Sequence, residues 1–210
     1  MKCFSFALSL LVMLGTSVSQ AYFTTAESGE IQPKGIHKVG FLPQLKISNG
    51  GGMNFTGFFD TALNDESSVR VHLGTGDTDF YTGLSYKWIP IPDFEKQPAL
   101  GFKFEGIYGR EGSENLTALR VHPLISKVMN TDVGTFVPYG SLPLSLVNTK
   151  SSSDTTVQIV VGTEYKTEDY PNFGFGGEFC LNGSKAFSYI AGFVTYQFED
   201  SKGFQFKRRK

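Results

Sequence analysis

Cysteine is scarce in this chain of 210 residues, which contains only Cys3 and Cys180. Cys3 lies in an N-terminal segment with the features of a signal peptide, so one thiol is expected to remain after export. A disulfide framework, the usual support of small exported domains, is therefore excluded within one mature chain. We expect the fold to depend on one large closed structure instead.

An excess of charge of either sign is also lacking. The chain has 19 Lys and Arg against 20 Asp and Glu, a net charge of −1. Binding of nucleic acid needs a concentrated basic face. The one basic run is at the C-terminal end, where we interpret it as a solvated tail: Lys207, Arg208, Arg209 and Lys210. No nucleic-acid partner is predicted.

Histidine is rare, and its three positions do not form a metal-binding pattern. His37, His72 and His122 are scattered along the chain. A zinc site needs three or four ligands at a consistent spacing, which these residues and Cys180 do not supply. A glycine cluster at residues 174–177 lies inside a strand pattern with no helix after it to bind phosphate. No metal and no cofactor is predicted.

Long hydrophobic runs are limited to residues 4–14, which follow Lys2. Together with the small-x-small site at Ser19-Gln20-Ala21, this run predicts a secretory signal peptide cleaved after Ala21. The run is shorter than the roughly 20 residues that a membrane-spanning helix needs. Any membrane-spanning form of the mature protein is therefore expected to cross as strands.

What the chain does contain is alternation. Apolar and polar or small side chains alternate at a period of two in residues 68–73, 100–109 and 157–166. This is the pattern of a sheet whose two faces meet different environments. Nine turn signals rich in Gly, Asn, Asp and Ser divide the chain into ten strands. The predicted strands cover residues 36–48, 53–63, 68–74, 78–89, 99–109, 115–129, 133–147, 155–166, 173–181 and 186–198.

The predicted fold class is all-β, a single antiparallel up-and-down transmembrane β-barrel of about ten strands, with eight strands as the alternative. Prolines at positions 123, 138 and 143 fall inside predicted strands, where proline is expected at bulges, edges or ends. The predicted organisation is a signal peptide (1–21), an N-terminal leader (22–35), the barrel (36–198) and a basic C-terminal tail (199–210).

The last predicted strand carries Ile190, Val194, Tyr196 and Phe198 on one face. It resembles the closing strand of Gram-negative outer-membrane β-barrel proteins, although here twelve residues follow it. The resemblance implies a place in the cell outer membrane, with membrane lipid and the barrel-assembly machinery as partners. Aromatic residues near strand ends fit the interfacial girdles of such barrels. They are Phe80, Trp88, Tyr165, Tyr170, Phe187 and Phe198.

Alternation alone does not separate this barrel from a soluble periplasmic barrel that binds lipid inside. The lipocalin features are missing, however: there is no Gly-x-Trp opening strand and no disulfide pair. If lipid covers the apolar face, a set of polar side chains faces the lumen, where opposite charges can pair. The lumen-facing candidates are Arg70, His72, Lys87, Lys103, Glu105, Arg120, His122, Gln158, Glu164 and Glu178.

The sequence favours a structural or narrow-pore role for a monomeric barrel with a charge-paired lumen. A surface binding or adhesion role is the alternative, with residues 90–98 and 148–154 as contact loops. An enzyme is not expected, because no histidine is followed by the serine that lipid-deacylating barrels pair with it. We expect arginine to be costly at Phe104 or Ile159, which should face lipid, and far less so at Gln158.

Overall fold

The computed structural model describes residues 26–48 and 51–203. The described residues form twelve strands: β1 (Ile36–Lys46), β2 (Met53–Asn64), β3 (Ser67–Gly76), β4 (Phe80–Ile91), β5 (Ala99–Glu111), β6 (Glu114–Ser126), β7 (Met129–Thr131), β8 (Gly134–Ser141), β9 (Leu144–Thr149), β10 (Ser153–Lys166), β11 (Phe173–Ser184) and β12 (Tyr189–Glu199). Across these same residues, no helix is long and apolar enough to cross a membrane.

Ten of the strands close into an antiparallel ring. Neighbours in the chain pair from β1 to β6, β6 pairs with β9, and β9 to β12 follow in order. Pairing of β12 with β1 closes the barrel. The predicted ten-stranded β-barrel is confirmed, and the eight-stranded alternative is wrong.

Strands β7 and β8 are additional to the ring of ten. The sequence predicted one strand over residues 133–147, but it is interrupted at Leu142 and Pro143, and both halves pair with β6 and β10. Proline lacks the backbone N–H that a continuous ladder requires. The predicted strand 115–129 also ends early, at Ser126, because residues 129–131 fold back as β7 onto β8.

The two faces of the barrel differ as the alternation predicts. In β5, the outward Phe104 is 45% exposed, while the inward Lys103 is 1% exposed. Large apolar side chains project outward around the barrel, and charged side chains project inward. The exposed aromatic residues include Phe80, Trp88 and Tyr170. Phe187 does not belong to a girdle: it precedes β12, which begins at Tyr189, it is buried, and its carbonyl accepts from the buried Gln158.

Inside the barrel, the rings of five Phe, Tyr or His side chains lie opposite glycines on the neighbouring strand. A Cβ built on any of these glycines would lie within 2.4 Å of the facing ring. The pairs are Gly40 with Phe58, Gly74 with Tyr81, Gly83 with His72, Gly162 with Tyr139, and Gly176 with Phe193. Glycine therefore makes room for large rings in a narrow barrel.

An N-terminal stretch lies inside the barrel. Residues 26–32, called the inner segment below, have no regular secondary structure, and Ala26, Glu27, Ser28 and Gln32 are buried. The sequence predicted only a leader over residues 22–35 and gave no indication that it enters the lumen. The predicted signal peptide (1–21) and residues 204–210 of the predicted tail lie outside the described residues.

Candidate functional site

The charged interior is the candidate site, because alternation brings side chains from most strands onto one inner surface. All ten residues selected from the sequence are buried there. Strand β3 positions Arg70 and His72, β4 positions Lys87, and β5 positions Lys103 and Glu105. The remaining five are on other strands: Arg120 and His122 on β6, Gln158 and Glu164 on β10, and Glu178 on β11.

The Glu27 carboxylate of the inner segment lies among three cations. Its Oε1 is 3.1 Å from Lys87 Nζ. Its Oε2 is 3.1 Å from Lys103 Nζ and 3.7 Å from Arg70 Nε. The three cations are supplied by β3, β4 and β5, which are neighbours in the sheet. We call Arg70, Lys87 and Lys103 the cation trio.

Two members of the cation trio, Lys87 and Arg70, also bond to the main chain of the inner segment. Lys87 Nζ donates to the carbonyl oxygens of Ser28 and Glu30, at 2.9 and 2.8 Å. Arg70 donates to the carbonyl of Ala26 at 3.2 Å and makes a two-point contact with Asp60, at 2.5 and 2.7 Å. Such paired N–H bonds to a carboxylate fix the orientation of the guanidinium.

Glu105 is the centre of a second group. Its carboxylate is 3.3 Å from Lys103 Nζ, 3.3 Å from Arg120 Nη1 and 3.1 Å from His122 Nε2. His72 Nδ1 lies 3.7 Å away. The two histidines that the sequence placed on one inward face therefore share one carboxylate. Within residues 26–48 and 51–203 no group of metal-ligating side chains is found.

Two further carboxylates bind interior hydroxyl or ammonium groups. Glu164 accepts from Lys38 Nζ and from Thr195 Oγ1, each at 3.1 Å. Glu178 accepts from Tyr139 at 2.8 Å and from Tyr189 at 2.6 Å. It also accepts from the backbone N–H of Ala26 at 2.6 Å, so it anchors the deep end of the inner segment.

Sequence reasoning missed four interior charges: Lys38, Lys46, Asp60 and Glu27. Lys38 and Asp60 follow the same alternation in β1 and β2 as the selected residues, and consistent use of the pattern would have found them. Glu27 has no periodic signal, because the inner segment is not a strand.

The interior has little free space. The cavity beside Glu27 and Lys38 has a volume of about 10 Å³. A second cavity, between Leu42 and Tyr81, is of similar volume, about 10 Å³. Each has room for about one water molecule.

The loop between β4 and β5 is tied to the barrel. Asp93 pairs with Lys127, which also donates to the carbonyl of Glu95 at 2.6 Å. Burial would raise the pKa of the Asp93 carboxyl, but hydrogen bonds from Lys127 and the backbone N–H of Val128 hold the pKa below its ordinary value. This loop, predicted as one of two contact loops, is thus held by its own ion pair.

An outward apolar face, an inward charged face and a closed antiparallel ring define the class of protein: a transmembrane-type β-barrel with a filled interior. No family model and no curated protein sequence matches the chain. Solved structures that it resembles include outer-membrane proteins and a designed transmembrane β-barrel.

Three such structures illustrate the likeness. An outer-membrane channel from Pseudomonas putida F1 is 7% identical with a TM-score of 0.49, covering 84% of this chain and 100% of the channel. The translocator domain of the autotransporter NalP from Neisseria meningitidis is 12% identical with a TM-score of 0.41, covering 94% and 97%. A de novo designed transmembrane β-barrel is 12% identical with a TM-score of 0.43, covering 80% and 100%. The likeness is one of overall fold.

Proposed function

We propose that this protein is an outer-membrane β-barrel of the Gram-negative cell envelope, exported by a signal peptide over residues 1–21. The outward apolar side chains support this location, because hydrocarbon is the environment in which such a face is stable. Membrane lipid and the barrel-assembly machinery are the partners that the fold requires. Monomeric assembly is part of the proposal, since a closed ring leaves no sheet edge to pair with a second copy.

Within that membrane, the role that fits the interior is structural, with a closed and charge-paired lumen and no catalytic activity. The observation that carries this proposal is the position of the inner segment, whose Glu27 lies between Lys87 and Lys103 inside the ring. Cavities of about 10 Å³ beside it leave no room for a hydrated ion to pass. A constitutively open pore would need a continuous water-filled path.

Conductance across a planar lipid bilayer tests this role. The full-length processed protein, reconstituted at a density verified by gel, is expected to give no current steps in 1 M KCl. A trimeric porin inserted from the same detergent serves as the positive control. Regular steps of one size from the wild-type protein would overturn the closed-lumen proposal and establish the narrow pore instead.

A further inference from the structure

We propose that the cation trio is a carboxylate-binding site in the barrel lumen, and that Glu27 of the chain's own inner segment occupies it. The site goes beyond the structural role, because it gives the lumen a ligand class: small organic anions that bear a carboxylate. Glu27 then acts as a built-in occupant, and an anion of this class binds where the Glu27 carboxylate is absent.

The geometry supports a binding site and not an incidental ion pair. Arg70, Lys87 and Lys103 come from three adjacent strands and converge on one carboxylate, with both ammonium groups 3.1 Å from its oxygens. All three side chains are almost fully buried. Arg70 also pairs with Asp60, and Lys103 also pairs with Glu105, whereas the ion pair of Lys87 is with Glu27. Removal of Glu27 would take this partner from a buried cation, which is strongly destabilising.

The balance of charge on the barrel wall also supports a site for a carboxylate. The strands bury six cations but only four carboxylates. The cations are Lys38, Lys46, Arg70, Lys87, Lys103 and Arg120, and the carboxylates are Asp60, Glu105, Glu164 and Glu178. Lys46 pairs with Asp77 in the loop that follows β3, which leaves five cations against four carboxylates, and Glu27 supplies a fifth carboxylate from outside the strands.

Glu27 is an imperfect occupant. Its Oε2 lies at ion-pair distance from Lys103 and Arg70, yet no hydrogen bond of acceptable geometry reaches this buried oxygen from residues 26–48 or 51–203. The backbone of the inner segment limits how the carboxylate can turn. A free carboxylate has no such tether and is able to align with both lysines.

The inner segment is held through side chains and not through a strand ladder. Residues 26–32 pair with none of the described strands, and their main-chain groups bond to the side chains of Lys87, Arg70, Glu178 and Ser126, whose Oγ accepts from Gly29 N–H at 2.9 Å. The adjoining cavity of about 10 Å³ has no room for a ligand beside Glu27. An anion therefore binds only where the Glu27 side chain has left.

Chemical rescue tests the site. In the full chain refolded in detergent, Glu27→Ala is expected to lower the midpoint of thermal unfolding. Acetate should raise that midpoint with saturation, compared with chloride at equal ionic strength, because a ligand that binds only the folded state stabilises it. Acetate should not shift the wild-type protein. Adding Lys103→Met to Glu27→Ala should abolish the acetate effect.

Glu30→Ala is the matched control, since Glu30 is on the same segment but pairs with Lys166, outside the trio. Equal acetate shifts in both single variants, or none in a folded Glu27→Ala, would overturn the proposal. If Glu27→Ala does not fold in chloride, the yield of folded protein in acetate is the readout, and failure in both anions would also overturn it. The assay requires no membrane, so its outcome is separate from that of the conductance test.

Discussion

At the scale of single residues, neighbouring positions of one strand experience opposite environments. Phe104 lies on the outer surface, and Glu105 is buried beside Lys103 and Arg120. The effect of a substitution on stability therefore depends on the face that the residue occupies, and arginine destabilises the two faces for different reasons. On the outer face the cost is desolvation in hydrocarbon, and on the inner face it is crowding and charge repulsion.

Phe104→Arg is expected to reduce the free energy of unfolding in lipid bilayers by about 2–4 kcal/mol, because Phe104 lies near the middle of β5 and faces outward. Phe104→Leu, which keeps the apolar surface, is the matched control and should change the free energy of unfolding far less. Urea titration of both variants in vesicles measures the difference. Equal stability of the two variants would mean that this face does not contact lipid.

The packing around Gln158 argues against the expectation that arginine costs far less there than at Phe104 or Ile159. Gln158 is fully buried, its Oε1 accepts from Arg120 at 3.2 Å, and its Nε2 donates to the carbonyl of Phe187 at 3.3 Å. Arginine there would place a second cation against Arg120 in a packed interior. Alternation predicts that Gln158 points inward, but it carries no information on the space available there.

At the scale of elements, periodicity predicted the strands of the ring well and the irregular parts poorly. A period of two is a local property, so each strand is visible in its own sequence. The break at Pro143 depends on which backbone groups face a partner, which a single strand does not reveal. The burial of residues 26–32 depends on the closed lumen around them, and nothing periodic marks it.

Glycines inside the barrel give a test at this scale. Gly162→Ala is expected to destabilise the protein by about 1–3 kcal/mol, because the new Cβ would lie 2.4 Å from the ring of Tyr139, whose hydroxyl donates to Glu178. Gly57→Ala is the matched control, since a Cβ there meets nothing within 4 Å. Thermal unfolding of the two variants in detergent compares them. A larger loss of stability in Gly57→Ala than in Gly162→Ala would contradict the packing described for the interior.

At the scale of the whole molecule, one architecture explains the composition. The chain forms no disulfide among its described residues, where Cys180 is a free buried thiol, and closure of ten strands replaces covalent support. Closure also leaves a lumen, which the chain fills with opposite charges and with its own inner segment.

We propose that this chain is a closed β-barrel in the outer membrane. The most direct measurement is gel electrophoresis of the outer-membrane fraction with and without boiling, because closed barrels in detergent stay folded until heated. We expect the protein in that fraction, and we expect its migration to change on boiling. Identical migration before and after boiling, or recovery of the protein in the soluble periplasmic fraction, would contradict it.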